Sequence, residues 1–195
     1  AEARWLEAHG CDAIIAQGAE AGGHRGIFLS SAYHSQPGTM ALVPQVVDAV
    51  KVPVIAAGGI ADGRGIAAAF MLGASAVQIG TAYLRSLESL VSDLHRKALA
   101  TAADDQTALT NVFSGRPARG LMTRIMAEVG PLAAEAPPFP TAGGALAPLK
   151  KAAEAQGKSD FTSLWSGQAA ALGLELPAGE ITRTLAADAA KRLNI

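Results

Sequence analysis

Three short apolar runs, each stopped by glycine, constrain this chain more than any other feature. They are Asp12–Gln17 (DAIIAQ), Val52–Ala57 (VPVIAA) and Ala76–Ile79 (AVQI), and they end at Gly18, Gly58-Gly59 and Gly80. A strand with one wet face alternates polar and apolar residues. A nearly continuous apolar run fits a strand covered on both faces, and therefore a parallel one. Stretches of helical periodicity separate the runs: Leu42–Val50, with Thr39 as an expected N-cap, and Gly63–Leu72, capped by Asp62 and closed by Gly73. Residues 1–9 read as the end of a helix, and Ala82–Ala100 as one long helix. Strand, loop and helix in this order are βα units.

Three such units do not close a barrel, and alone they leave two sheet edges bare. A complete (β/α)8 barrel needs about 250 residues. The expected fold class is therefore α/β: about the last three βα units of a (β/α)8 TIM barrel, followed by a C-terminal extension of helix and irregular chain. About five units, or roughly 150 residues, are then expected upstream. The expected division is a partial barrel over 1–125 and an extension or lid over 126–195. Leu109–Phe113 reads as one more short strand and Ser114–Gly120 as a basic turn. The proline-rich stretch 130–148 reads as a meander, and Ala147–Ala155 and Ile181–Leu193 as helices.

The 16 basic and 17 acidic residues give a net charge of −1, which offers no attraction for nucleic acid or an anionic membrane. No apolar run reaches the 18 residues of a membrane span, so a cytoplasmic location is expected. The single cysteine, Cys11, excludes a disulfide framework and a multi-cysteine zinc site, and reads as a small core residue. No metal-ligand spacing is present. His9, His34 and His95 have nothing polar organised around them in sequence.

Two places carry the elements of chemistry. The consecutive strand ends Ala57-Gly58-Gly59-Ile60 and Gln78-Ile79-Gly80-Thr81 have the order of the phosphate site that (β/α)8 barrels form after strands 7 and 8. Glycine lets backbone N–H groups approach an anion, and Thr81 adds a hydroxyl. Ordinary tight βα turns account for single glycines as well. The other place is Ala16–Gly26 (AQGAEAGGHRG). Gln17 puts an amide at a strand's C-terminal end, suited to a heteroaromatic ring edge. Gly22-Gly23 can pass close under a ligand. His24 follows as a base or a cation, or as a plain exposed loop histidine. Arg25 beside it reads as a solvated surface arginine.

These strings, with Val52–Leu84 and FSGRPARG (Phe113–Gly120), resemble the nitronate monooxygenase family, formerly 2-nitropropane dioxygenases. The resemblance covers about residues 3–125 and extends to FTSLWSGQAA (Phe161–Ala170). It implies an FMN-dependent barrel enzyme that oxidises alkyl nitronates, such as propionate 3-nitronate, with O2 to a carbonyl compound and nitrite through a flavin semiquinone. It also implies that Gln17, Gly22 and Gly23 contact FMN. Gly58, Gly59, Gln78, Ile79, Gly80 and Thr81 then hold its phosphate, and His24 faces flavin and substrate. The remaining FMN contacts would come from the upstream half of the barrel, and a homodimer is an expected assembly. Pro137–Lys151 departs from the family pattern in having no tyrosine, although it has Phe139, Lys150 and Lys151. The Leu164–Gln168 loop reads either as a closure over the flavin or as an anchor for the C-terminal helices. The competing functions are an FMN-dependent enoyl-acyl-carrier-protein reductase or NADH:quinone reductase, a phosphate-binding barrel without flavin, and an inactive half-barrel.

Overall fold

The computed structural model describes residues 1–195. Its elements in chain order are α1 (Glu2–Ala8), β1 (Ile14–Gln17), β2 (Gly23–His24), α2 (Thr39–Val47), β3 (Val54–Ala57), α3 (Gly63–Met71), β4 (Ala76–Gln78) and α4 (Asp93–Ala100), then β5 (Thr107–Thr110), β6 (Ala118–Leu121), α5 (Arg124–Val129), α6 (Ala142–Glu154) and α7 (Ala178–Leu193). The three glycine-stopped runs form one parallel sheet in the order β1-β3-β4. Its register sets Gln17 opposite Ala57 and Ala57 opposite Gln78. The strands therefore end level, and the turns that follow them lie side by side. That register builds the site.

The core lies between this sheet and its helices. Val43 of α2 is fully buried against Val54 and Ala56, and Ile66 of α3 packs with Ile181 and Leu185 of α7. α7 thus lies against barrel helix α3 although more than a hundred residues separate them. Leu185 is buried in this cluster. Leu185→Ala removes its contacts and leaves a cavity, so chemical denaturation should show a loss of about 2–5 kcal/mol.

A second sheet is antiparallel, in the order β2-β6-β5, with Gly23 and Leu109 both opposite Arg119. It appears where sequence reasoning expected one strand at Leu109–Phe113 and a basic turn. The strand is earlier, at Thr107–Thr110, and the end of the basic stretch is its partner. Pairing across seven intervening residues decides both, and a local pattern does not carry that information.

Other expectations also need correction. Thr39 is not the cap of α2 but its first residue; Gly38 is the N-cap. Both carboxylate oxygens of Glu20 accept from the Thr39 N–H at 2.9 Å, so the cap comes from another loop. Ala82–Ala100 is not one helix. A 3-10 turn over Thr81–Arg85 is followed by a break, and α4 restarts at the N-cap Ser92, whose Oγ accepts from His95 N. Arg96 closes the break by donating to the carbonyls of Arg85, Ser86 and Ser89. α6 begins at Ala142, inside the expected meander, and α5 was not foreseen. Cys11 is only half-buried. Asp62 caps α3 as expected, accepting from Arg64 N and Gly65 N. No helix is long and apolar enough to cross a membrane.

Candidate active site

The level strand ends open into a cleft of about 240 Å³. Complete small-molecule sites hold about 300–1,000 Å³, so these residues wall one side of a ligand-sized space. Gln17, Gly22, Gly23, Gly58, Gly59, Gln78, Gly80 and Thr81 all line it. Ile79 is placed differently: its side chain turns to the helix side, beside Phe70 and Tyr83.

Gly58 and Gly59 have φ of +107° and +71°, a left-handed region that disfavours any residue with a Cβ. The turn exposes backbone that has no internal use. The N–H groups of Gly22, Gly59, Ile60 and Gly80 meet no protein acceptor. These unpartnered donors at two adjacent turns suit an anionic oxygen, as at other backbone phosphate sites. Nothing lies within 4 Å of a Cβ built on Gly80, so its backbone faces open space.

Gln17 has a role beyond the one read from its chemistry. Its Oε1 accepts from Gly26 N at 2.7 Å and its Nε2 donates to His24 O at 3.1 Å. The amide pins the loop that presents His24, leaving one N–H uncommitted.

His24, on β2, is exposed and does not line the cleft itself; it follows Gly22 and Gly23, which do. Its ring lies 5.6 Å from that of Trp165 and 5.8 Å from that of Phe139. Its Nε2 is 2.8 Å from Ser114 Oγ. Ser114 Oγ also accepts from Arg116 N at 3.3 Å and lies 3.1 Å from Arg116 O, so one hydroxyl links the imidazole to the turn. With Nε2 engaged by Ser114, Nδ1 is the ring nitrogen without a protein partner. Partial burial, and next the positive charge of Arg116, lower the His24 pKa below its usual 6.5. The imidazole is therefore neutral at pH 7. Of the two roles open in sequence, this favours the base over the cation.

The Leu164–Gln168 segment crosses the cleft. Gly167 N donates to Thr81 Oγ1 at 2.9 Å, and Gln168 N donates to Glu20 O at 3.0 Å. Trp165 O is 3.0 Å from His95 Nε2. His95, which sequence left without a polar setting, is buried and holds this segment. Burial lowers its pKa, opposed by the bond to Trp165.

Arg25 is a second correction. It is 2% exposed, not a solvated surface residue. It donates to Gly18 O, Ala21 O and Gln36 Oε1 at 2.7–2.9 Å. Burial pushes its pKa and that of Arg119 down while Glu20 pulls both up, and a guanidinium stays charged throughout.

Sequence reasoning missed Ser114, Arg119 and Glu20. Ser114 is 90 residues from His24 in the chain. Only the pairing of β2 with β6 brings its turn to His24. No local signal marks it beyond the Ser-Gly-Arg-Pro turn itself.

Comparison with known proteins now decides the family. The family model described as nitronate monooxygenase matches residues 1–188. The chain belongs to the nitronate monooxygenase family. A nitronate monooxygenase of Pseudomonas aeruginosa is 48% identical over 185 residues, covering 94% of this chain and 53% of that protein. A probable nitronate monooxygenase of Staphylococcus aureus is 44% identical over 180 residues, covering 92% and 51%. The chain thus spans about half the length of the curated relatives it matches. A nitroalkane oxidase structure from Streptomyces ansochromogenes superposes with a TM-score of 0.89 at 42% identity, over 99% of this chain and 56% of that one. FabK of Thermotoga maritima superposes less well, with a TM-score of 0.76 at 36% identity, over 98% of this chain and 58% of that one. The parallel sheet and its helices are accordingly part of a nitronate monooxygenase-type (β/α)8 barrel.

Proposed function

We propose that the whole protein carrying this chain holds FMN in the cleft and oxidises alkyl nitronates with O2, giving a carbonyl compound and nitrite. The observation that carries this reading is the row of unpartnered amides at Gly22, Gly59, Ile60 and Gly80, with His24 two residues beyond the first of them. Two left-handed glycines and an open Gly80 leave room for a phosphate, so the residues present fit the group. Gly58, Gly59, Gly80 and Thr81 would hold the phosphate of FMN, and Gly22 and Gly23 would lie along its ring. The uncommitted N–H of Gln17 and the side chain of Gln78 stand at the same strand ends. Bound FMN supplies the ring that accepts electrons from the nitronate and passes them to O2.

This chain's own residues then have defined tasks. His24 Nδ1 takes the α-proton of a neutral nitroalkane and generates the nitronate in place. Ser114 holds Nε2 at 2.8 Å and leaves Nδ1 as the nitrogen open to substrate. Trp165 and Phe139 set aromatic rings against the imidazole and limit its orientation. Gln17 fixes the loop, so that His24 meets the substrate from one direction.

The test is nitrite release coupled to O2 uptake by the FMN-loaded protein with propionate 3-nitronate. Stoichiometric nitrite supports the reading, and none refutes it. A pH dependence follows from the lowered pKa. The base form of His24 persists below pH 6.5, so kcat/KM for a nitroalkane should rise with pH through a midpoint below 6.5 and then level off. A midpoint well above 6.5 would contradict the assignment of the base.

A further inference from the structure

We propose that Arg25 and Arg119 are positioning residues that form a buried positive platform behind the cleft wall and make the flavin easier to reduce; this rests on the FMN reading above. Four consecutive carbonyls, those of residues 18–21, are all taken by protein donors. Arg25 Nη2 donates to Gly18 O at 2.7 Å and Nη1 to Ala21 O at 2.9 Å. Arg119 Nε donates to Ala19 O at 2.9 Å, and the remaining carbonyl, of Glu20, accepts from Gln168 N. Holding these carbonyls turns the next amide, that of Gly22, to the cleft without a protein acceptor.

Charge makes the arrangement more than a brace. Neither guanidinium is paired with a carboxylate, since every ion pair of the chain involves other residues. The nearest acid, Glu20, spends its oxygens on the N–H and hydroxyl of Thr39, at the start of α2. A charged side chain as deeply placed as Arg25 is normally paired, because removing it from water is costly. Two guanidiniums against the single nearby carboxylate of Glu20 leave a net positive charge behind the cleft wall, which lowers the energy of negative charge on its other side. Reduction of the flavin places negative charge there.

The test is the midpoint potential of FMN in the whole protein, compared among the wild type, Arg25→Gln, Arg25→Lys, Arg119→Gln and Arg119→Lys, with circular dichroism confirming the fold. Removing the charge with glutamine should lower the one-electron reduction constant at least tenfold, a shift of about 59 mV to more negative potential. Lysine keeps the charge and should stay within about threefold of the wild type. Arg119, only half-buried, tolerates the change even if Arg25→Gln fails to fold. An unmoved potential in folded, FMN-bearing glutamine variants overturns the inference, as do equal shifts for glutamine and lysine. A wild type that takes up no FMN overturns the cofactor reading itself and the inference with it.

Discussion

His24→Asn should lower turnover of a neutral nitroalkane by about 10²–10⁴-fold, the range contributed by a positioned general base. Asparagine keeps a polar side chain of similar reach but cannot accept the proton. FMN content should stay near that of the wild type, because the imidazole lies beside the cleft rather than among the amides of its floor. A preformed nitronate has already lost its α-proton, so its turnover should fall far less. Parallel steady-state assays with a nitroalkane and its nitronate separate the two steps. Equal losses on both substrates would assign His24 to orienting the anion instead of moving a proton. Near-equal activity of variant and wild type on the nitroalkane would remove His24 from the chemistry altogether.

The second large effect is expected at Gly22. A Cβ at this position would lie 2.5 Å from Gly167 N and 2.6 Å from the carbonyl carbon of Ser166. Both are backbone atoms, and no rotamer change relieves the clash. Gly22→Ala must therefore push the 164–168 segment away from the cleft. That breaks the bonds from Gly167 N to Thr81 Oγ1 and from Gln168 N to Glu20 O. We expect a stability loss of about 1–3 kcal/mol, typical of overpacking, by chemical denaturation. FMN affinity should weaken tenfold or more by fluorescence titration, since the displaced segment is one wall of the site. A variant that binds FMN as the wild type does would show that this segment does not close the cleft.

The parallel half of the fold was legible because its signal is local. DAIIAQ, VPVIAA and AVQI need no partner to be recognised as strands covered on both faces, and their level ends follow from pairing in register. The glycine turns were legible for the same reason, since Gly58 and Gly59 take backbone angles that most residues avoid. The second sheet was not. Gly23-His24 is a strand only because Ala118-Arg119 lies beside it, almost a hundred residues later. That pairing carries Ser114 to His24 and Arg119 to the carbonyl of Ala19. Arg25 illustrates the same limit in a single residue. Arginine in a glycine-rich loop reads as exposed, and only the folded loop supplies the three acceptors that make its burial tolerable.

The central claim is that the cleft holds FMN and that the flavin is reduced by a nitronate. It is tested most directly by the visible absorption spectrum of the FMN-loaded whole protein under anaerobic conditions, recorded before and after adding propionate 3-nitronate and, separately, NADH. The account predicts that the oxidised-flavin band is lost with the nitronate, stays with NADH, and returns when O2 is admitted. A band that survives the nitronate but bleaches rapidly with NADH would contradict it and assign the cleft to a nicotinamide-dependent reductase.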